Sequence, residues 1–361
     1  MKDLIDLLYD HNYIEKDQLL RLLNGLIPYK SDAGKHHDIE AYKYLIIKAD
    51  EKRRSIYGTG VFMRGLVEFT SYCKRNCMYC GLRAANTNLQ RYRLDKEQIV
   101  KACSVGWELG YRTFVLQGGE DDFYTDKIVT DIITTLKSLF EGCAITLSLG
   151  EKPKSSFIDY FKAGADRYLL RHETASKQLY KKLHPDMDFE NRIRCLFDLK
   201  EIGFQVGAGF MTGLPGQKNE DYVEDIYFLK ILKPHMVGIG PFIPHGSTPL
   251  AGAHPGTVED TIILIALTRL FLPDTLIPAT TALGSIDPLG RELGLKAGAN
   301  VVMPNLSPVE TRSWYSLYDG KICTGDEAAE CRRCIEGRIN NAGFRVDMSR
   351  GDHVNYWNGG I

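Results

Sequence analysis

The chain has 361 residues, enough for two average domains or one large α/β barrel. Its composition, 44% hydrophobic and 25% charged, is that of a globular protein, and a formal net charge of −1 excludes the broad basic surface of a nucleic-acid binder. The longest apolar run, around Ile262–Leu267, is too short for a membrane span, and the acidic start is not a signal peptide. We therefore expect a protein of the reducing cytoplasm.

The first 58 residues carry the apolar spacing of helices. This spacing occurs over Asp3–Leu8, over Asp17–Leu23 and again over Asp38–Ser55, which ends near Gly58. We expect residues 1–58 to form an N-terminal helical segment.

From residue 59 to residue 310, short β-rich runs alternate with helical stretches. Eight such runs begin at Leu66, Thr113, Ala144, Arg167, Gln205, Met236, Leu276 and Val301. Alternating strands and helices predict a parallel sheet, and eight units predict a complete (βα)8 TIM barrel. A doubly wound sheet is the alternative. Residues 311–361 are predicted to be an irregular C-terminal extension.

Three cysteines follow the first of these runs in the segment Cys73-Lys-Arg-Asn-Cys77-Met-Tyr79-Cys80. Thiolates at this spacing suit a soft metal centre. Four cysteines usually hold an iron–sulfur cube, so three leave one iron without a protein ligand. A structural zinc site or a set of buried cysteines is the alternative.

Glycines and charged residues stand at the predicted strand ends, where the active sites of barrels lie. Gly118-Gly119-Glu120 follows the second run, where glycines allow close backbone approach and a carboxylate favours an ammonium group; a plain turn is the alternative. Gly238-Ile239-Gly240 could offer backbone contacts to a flat adenine, or could simply pack tightly.

The fourth unit places opposite charges close together in the sequence. Glu173 and Arg192 suit a zwitterionic amino-acid group, and an internal salt bridge is the alternative. Arg171 shares the parity of Glu173 along the strand, so the two side chains are expected on one face.

A second cysteine triplet follows the barrel repeat. Cys323, Cys331 and Cys334 have the spacing C-x7-C-x2-C. We interpret them as a site for a second iron–sulfur cluster, with zinc or no metal as the alternatives.

The first triplet, with an aromatic residue before its last cysteine, resembles the signature of the radical S-adenosylmethionine (SAM) superfamily. The resemblance implies a [4Fe–4S] cluster whose open iron binds the amino and carboxylate groups of SAM. One electron from the cluster would then release a 5′-deoxyadenosyl radical. Tyr79, Gly118, Gly119 and Glu120 would lie at the cofactor, together with Ile239.

Longer runs resemble one family within that superfamily, the radical SAM maturases of [FeFe]-hydrogenase. These runs are Asn76–Arg83, Val115–Asp121, Thr146–Glu151, Gly164–Ala175, Gly213–Gln217, Met236–His245 and Ile277–Ala282. Biotin synthase and methylornithine synthase share the barrel and the first triplet but not this whole set.

The resemblance implies a role in building the di-iron subcluster of the hydrogenase. The substrate would be a small iron–carbonyl–cyanide–cysteine species, with HydG and HydF as partners and an external electron donor. Thr146, Glu173 and Arg192 would surround SAM. The residues implied around the substrate are Arg171, Met236, Thr280, Thr281, Met303, Tyr315 and Tyr318.

Two other functions remain open at this point. One is a radical SAM enzyme of the biotin-synthase or methylornithine-synthase type that acts on a carbon skeleton. The other is a non-catalytic iron–sulfur carrier or scaffold, which would hold a cluster but would not cleave SAM.

Overall fold

The computed structural model describes residues 1–27, 38–325 and 327–356. Parts of the predicted segments 1–58 and 311–361 lie outside these residues. The strands are β1 (Gly60–Met63), β2 (Gly65–Thr70), β3 (Thr113–Gly118), β4 (Ala144–Ser148), β5 (Arg167–Leu169), β6 (Gln205–Thr212), β7 (Met236–Pro241), β8 (Val301–Val302) and β9 (Arg345–Asp347). The helices are α1 (Lys2–His11), α2 (Lys16–Leu26), α3 (Ile39–Tyr57), α4 (Lys96–Glu108), α5 (Asp126–Leu139), α6 (Lys154–Lys162), α7 (Lys177–Leu183), α8 (Phe189–Ile202), α9 (Asn219–Leu232), α10 (Val258–Phe271), α11 (Thr281–Ile286), α12 (Gly290–Lys296), α13 (Val309–Arg312) and α14 (Ala328–Asn341).

All neighbouring strands in the two sheets run parallel, as the alternation of strands and helices predicts. The larger sheet has six strands in the order β2-β3-β4-β5-β6-β7, and the smaller has the order β8-β1-β9. The six strands follow one another in chain order, without the reversal that defines a doubly wound sheet. An α/β fold with a parallel sheet is therefore confirmed.

Isolated parallel bridges lie between the edges of the two sheets. They pair Leu66 with Asn305, Met236 with Leu276, and Pro278 with Val301. The predicted seventh strand is thus reduced to two single bridges, because Pro278 has no N–H to donate to a regular ladder. The complete eight-stranded barrel stays a prediction.

Two strands were not expected from the sequence. Strand β1 is separated from β2 by Arg64 alone, and it pairs with β8 on one side and β9 on the other. Because β9 and α14 lie in the C-terminal extension, the prediction that this extension is irregular was wrong. Strand β9 has only three residues, so its sequence carries little β-strand pattern. It forms because β1 offers it a partner.

The N-terminal helices confirm the predicted periodicity and pack on the outside of the sheet. Helix α3 lies along α10, and α2 lies against α9. Asp38 caps α3 by accepting a hydrogen bond from the N–H of Ala41 at 2.9 Å. Helix α10 is apolar on nearly all sides because α3 covers the face that would otherwise meet water. Across the described ranges, no helix combines the length and the apolar content that crossing a membrane requires.

The carboxyl ends of the parallel strands bring the predicted site segments to one end of the sheet. Strand β2 ends three residues before Cys73, β3 ends at Gly118, and β5 ends two residues before Arg171. The thiol loop, the glycine pair and the charged fourth unit therefore meet at the end where barrel enzymes bind their substrates.

Candidate active site

Three half-buried thiols share the loop after β2, those of Cys73, Cys77 and Cys80. Burial raises the pKa of each thiol, that of Cys80 to about 12. Such thiols stay protonated until a metal supplies compensating charge, so cluster binding would release protons. Within the described residues, no three Cys, His, Asp or Glu side chains already stand at metal-ligand distances. The assignment therefore depends on donor chemistry, since three soft sulfurs fit an iron–sulfur cluster.

Backbone hydrogen bonds hold the thiol loop from two sides. The N–H of Met78 donates to the carbonyl of Leu183 at the end of α7 at 2.8 Å. The N–H of Gly81 donates to the carbonyl of Leu317 at 2.9 Å. A Cβ atom on Gly81 would lie 2.2 Å from the Ser316 carbonyl oxygen, so the close approach requires glycine. The loop is thereby fixed between α7 and the segment 314–318.

The thiol loop borders a cavity of about 300 Å³, within the range of small-molecule sites. Most of the predicted cofactor and substrate residues line it: Cys77, Tyr79, Cys80, Gly118, Arg171, Glu173, Arg192, Thr280, Tyr315 and Tyr318. Gln117 and Ser148 also line it, although neither is among the predicted site residues. Both residues stand at the carboxyl ends of their strands, β3 and β4, which is where the predicted site residues also lie.

The glycine pair after β3 lets the chain pass close to the thiol loop. A Cβ atom on Gly119 would lie 2.2 Å from the carbonyl oxygen of Tyr72 and 2.6 Å from the Cβ of Cys73. The N–H of Glu120 points at the sulfur of Cys73 at 3.4 Å. Gly119 is therefore needed for the close packing of the thiol loop, in addition to any contact that it makes with a bound ligand.

The carboxylate of Glu120 is engaged by protein groups on both oxygens. Arg75, in the thiol loop, donates from Nε to Oε2 at 2.6 Å, and the N–H of Glu151 donates to Oε1 at 3.2 Å. Glu120 thus fastens the thiol loop to the end of β4, rather than standing free for the ammonium group that the sequence suggested.

The charged residues of the fourth unit take part in two ion pairs, one inside the protein and one that faces the cavity. Arg192 donates from Nε to Glu151 at 2.7 Å, and the side chains of this pair are 8% and 4% exposed, so its salt bridge is internal. Arg171 donates to the carbonyl of Phe210 at 2.7 Å and lies 3.4 Å from the carboxylate of Glu173. Arg171 and Glu173 therefore form an ion pair that faces the cavity.

Four polar atoms on the segments around the cavity are buried without a hydrogen-bond partner among the described residues. They are Glu173 Oε2, Arg171 Nε, Thr280 Oγ1 and Thr146 Oγ1. An unsatisfied buried polar group costs about 1–3 kcal/mol, which a polar ligand would offset. Three of these residues, Arg171, Glu173 and Thr280, line the main cavity and include both signs of charge, so they fit a zwitterion such as the amino-acid end of SAM. Thr146 is fully buried within β4 and does not line the cavity.

His184 is a site residue that sequence reasoning missed. The hydroxyl of Tyr79 lies 2.9 Å from its Nε2, and its Nδ1 lies 3.0 Å from the carbonyl of Tyr180. A ring nitrogen that faces a carbonyl carries the hydrogen, so Nε2 accepts from Tyr79. Burial lowers the pKa of His184 to about 3, which keeps the ring neutral. No sequence signal marks His184, because its role depends on α7 packing beside the thiol loop.

Several predicted site residues lie away from the main cavity. Met236 begins β7 instead of ending it, and its sulfur accepts a hydrogen bond from Arg64 at 3.0 Å. The side chain of Ile239 is fully buried within the same strand, and that of Thr146 is fully buried within β4. Residues early or midway along a strand point into the core below the cavity, which explains these three positions.

A separate side cavity of about 20 Å³ lies next to the second cysteine triplet. Thr281 and Met303, predicted to contact the substrate, line this side cavity together with Cys323 and Cys331. Cys334 is exposed on α14, and Arg291 lies 3.6 Å from the sulfur of Cys323. The structure therefore brings two of the three thiols of this triplet to one cavity.

Comparison with known proteins supports the interpretation of the thiol loop and the main cavity as a radical SAM site. Residues 67–229 match the model of the radical SAM superfamily. The chain is 50% identical to the [FeFe] hydrogenase maturase subunit HydE of Thermotoga maritima over 295 residues, 82% of this chain and 84% of that protein. It is 30% identical to 3-methylornithine synthase of Methanosarcina acetivorans over 277 residues, 75% of this chain and 77% of that protein.

A solved structure is similar over nearly the full length. The crystal structure of methylornithine synthase (PylB) has a TM-score of 0.82 and 26% sequence identity, and the match covers 95% of this chain and 97% of that one. Together with the thiol loop and its cavity, these similarities show that the chain belongs to the radical SAM superfamily and, within it, to the HydE family of [FeFe]-hydrogenase maturases.

Proposed function

We propose that the protein reductively cleaves SAM in the main cavity and acts there on a small sulfur- and iron-containing substrate during assembly of the hydrogenase di-iron subcluster. The observation that carries this proposal is the thiol triplet, of which Cys77 and Cys80 line the cavity, next to buried polar atoms that make no hydrogen bond among the described residues. The 50% identity to a HydE maturase supports the biological role.

Membership of the radical SAM superfamily implies a [4Fe–4S] cluster and SAM as cofactors. When bound, the cluster supplies the electron that cleaves SAM to a 5′-deoxyadenosyl radical. Cys73, Cys77 and Cys80 would hold the cluster. Glu173 and the backbone at Gly118 would receive the polar end of SAM. Glu120 and Arg192 would act indirectly, by fixing the thiol loop and Glu151.

The substrate would occupy the part of the cavity near Arg171, Thr280, Tyr315 and Tyr318. Arg171 is permanently charged and suits an anionic ligand, while Thr280 offers a hydroxyl without a partner among the described residues. An iron–carbonyl–cyanide–cysteine species from HydG has this chemistry, and HydF would receive the product. An external electron donor would reduce the cluster.

The experiment that tests this function is anaerobic reconstitution with iron and sulfide, followed by a 5′-deoxyadenosine assay with SAM and dithionite. We expect cleavage, and we expect maturation of apo-hydrogenase when HydG and HydF are added. A bound cluster without cleavage would support a carrier or scaffold instead. Cleavage without any contribution to maturation would support an enzyme that acts on a carbon skeleton.

Replacing Arg171 with lysine tests the substrate site. Lysine keeps the charge, but it cannot both donate to Phe210 and present a planar fork. Because a hydrogen bond to a charged group is worth about 1.5–3 kcal/mol, maturation should fall roughly tenfold or more. Cluster content and SAM binding should be unchanged. Full maturation by both Arg171→Lys and Arg171→Ala would show that the substrate is held elsewhere, and a loss of SAM affinity would assign Arg171 to the cofactor.

We further propose that Cys323, Cys331 and Cys334 can bind a second iron–sulfur cluster that SAM cleavage does not require. The position of two of these thiols at a separate side cavity supports this proposal. The triple alanine variant should lose roughly half of the reconstituted iron, as expected for two clusters of equal size, and should keep its cleavage rate. Unchanged iron content per chain would exclude a second cluster.

The remaining organisation follows from the sequence. We propose that residues 59–310 form a complete (βα)8 barrel, with residues 1–58 and 311–361 as flanking segments. The isolated bridges at the positions of the seventh and eighth strands support closure. We also place the protein in the cytoplasm, where an oxygen-sensitive cluster can persist.

A further inference from the structure

The backbone at Glu173 is strained. Its φ angle is +66°, a left-handed conformation that glutamate rarely adopts. The N–H of Thr174 donates to the carbonyl of His172 at 2.8 Å, a hydrogen bond that spans Glu173 alone. This is a γ-turn of the strained type with positive φ. Such a conformation persists only where the surroundings impose it.

His172, the first residue of the γ-turn, is held in place by the contacts of its own side chain. Its side chain is fully buried, with ring centroids of Phe210 and Phe228 at 5.9 and 4.8 Å. Its Nδ1 accepts the N–H of Gly209 at 3.3 Å. The other ring nitrogen, Nε2, therefore carries the hydrogen and points at Asp225 at 3.2 Å.

Asp225 holds the turn from both sides. It comes from α9, on the outside of the sheet, and its side chain is fully buried. A single oxygen, Oδ1, accepts hydrogen bonds from His172, before Glu173, and from the N–H of Ala175, after it. One carboxylate oxygen thus closes a clamp around the strained residue.

The clamp also fixes the direction of the Glu173 side chain. The backbone of Glu173 bonds to β6, donating to the carbonyl of Gly209 at 3.0 Å and accepting from the N–H of Met211 at 3.1 Å. With both neighbours held, its carboxylate lines the main cavity, where Oε2 makes no hydrogen bond among the described residues and lies 3.4 Å from Nη2 of Arg171.

We propose that His172 and Asp225 are positioning residues that hold the strained γ-turn at Glu173 and thereby aim its carboxylate at bound SAM. The proposal rests on the function proposed above, because it takes SAM as the ligand that Glu173 meets. It assigns a role in the active site to a carboxylate on a helix behind the sheet, which never touches the cavity.

The first test measures SAM affinity of the cluster-loaded protein by calorimetry. Asp225→Leu removes the acceptor but keeps the branched shape of the side chain, and it should raise the Kd for SAM about tenfold or more, because a displacement of about 1 Å in a binding group has effects of this size. Asp225→Asn keeps Oδ1 as an acceptor and should stay within about threefold of wild type. Glu224→Ala, one residue away, removes an exposed pair with Lys16 and should leave the Kd unchanged.

The second test measures strain without SAM, by thermal unfolding of the same cluster-loaded protein. Glu173→Gly and Glu173→Ala both lose the ion pair with Arg171, but only glycine tolerates positive φ, so with Asp225 intact Glu173→Gly should unfold about 2 °C above Glu173→Ala. In the Asp225→Leu background the turn is already released, and Glu173→Gly should give no gain over Glu173→Ala. If Asp225 only stabilised the fold and did not hold the turn, Glu173→Gly would give the same gain in both backgrounds.

Two results would overturn the proposal: a Kd for SAM in Asp225→Leu no higher than in Glu224→Ala, or an equal gain from Glu173→Gly over Glu173→Ala in both backgrounds. If Asp225→Leu does not fold, His172→Phe provides the same comparisons, since it keeps the ring between its aromatic neighbours and loses both nitrogens. If the wild type itself binds no SAM, the proposed function fails, while the strain comparison still decides whether Asp225 holds the turn.

Discussion

Replacing Cys73, Cys77 and Cys80 together with alanine is expected to abolish SAM cleavage. These are the three soft donors of the thiol loop, two of which, Cys77 and Cys80, line the main cavity, and an iron–sulfur cluster cannot bind there without them. After anaerobic reconstitution, 5′-deoxyadenosine formation with dithionite should fall to the level of a reaction without protein. The absorbance of the cluster and the iron bound at this loop should be lost as well.

The matched control replaces the same number of thiols at the second triplet. Cys323, Cys331 and Cys334 changed to alanine should leave cleavage at the wild-type rate. Cleavage that persists undiminished in the first variant would end the radical SAM interpretation of this loop. Loss of cleavage in both variants would show that the second triplet is needed for the reaction.

Gly119→Ala is expected to prevent loading of the first cluster, although no ligand is removed. The new Cβ atom would lie 2.2 Å from the carbonyl oxygen of Tyr72, which is backbone and cannot swing away as a side chain can. Overpacking of this kind costs about 1–3 kcal/mol, and here it displaces the segment that carries Cys73. The iron bound at this loop and the cleavage rate should both fall roughly tenfold or more, in proportion to the fraction of misplaced loops.

Gly337→Ala is the control for glycine replacement itself. Gly337 lies in α14, is exposed, and has open space where a Cβ atom would stand. The alanine should stabilise the protein by about 0.5–1 kcal/mol, because alanine is the better helix former, and cleavage should be unchanged. Normal cluster loading by Gly119→Ala would show that the thiol loop can shift without cost.

The chemistry of the site and the class of the fold could both be predicted from local features of the sequence. The spacing of Cys73, Cys77 and Cys80 is local, and three thiols within eight residues share a loop in any fold. The alternation of strands and helices is also local, and it predicted a parallel sheet with its polar loops at one end. The resemblance to a maturase family was carried by contiguous runs, which need no tertiary information.

The groups that hold those residues in place are known only from the folded structure. Glu120 pairs with Arg75 from another loop, Tyr79 with His184 at the end of α7, and the turn at Glu173 with Asp225 on α9. Each pair joins residues 45 to 105 positions apart in the sequence. A hydrogen bond depends on distances of about 3 Å between atoms, and such distances between remote segments are set by packing rather than by periodicity.

The same limit explains the strands that the sequence missed. Strand β9 exists because β1 offers it a free edge, and the seventh predicted strand is reduced to two bridges around Pro278. Short strands are stabilised by their partners across the sheet, so their own residues say little about them. Sequence thus set which side chains could do the chemistry, and packing set where each of them points.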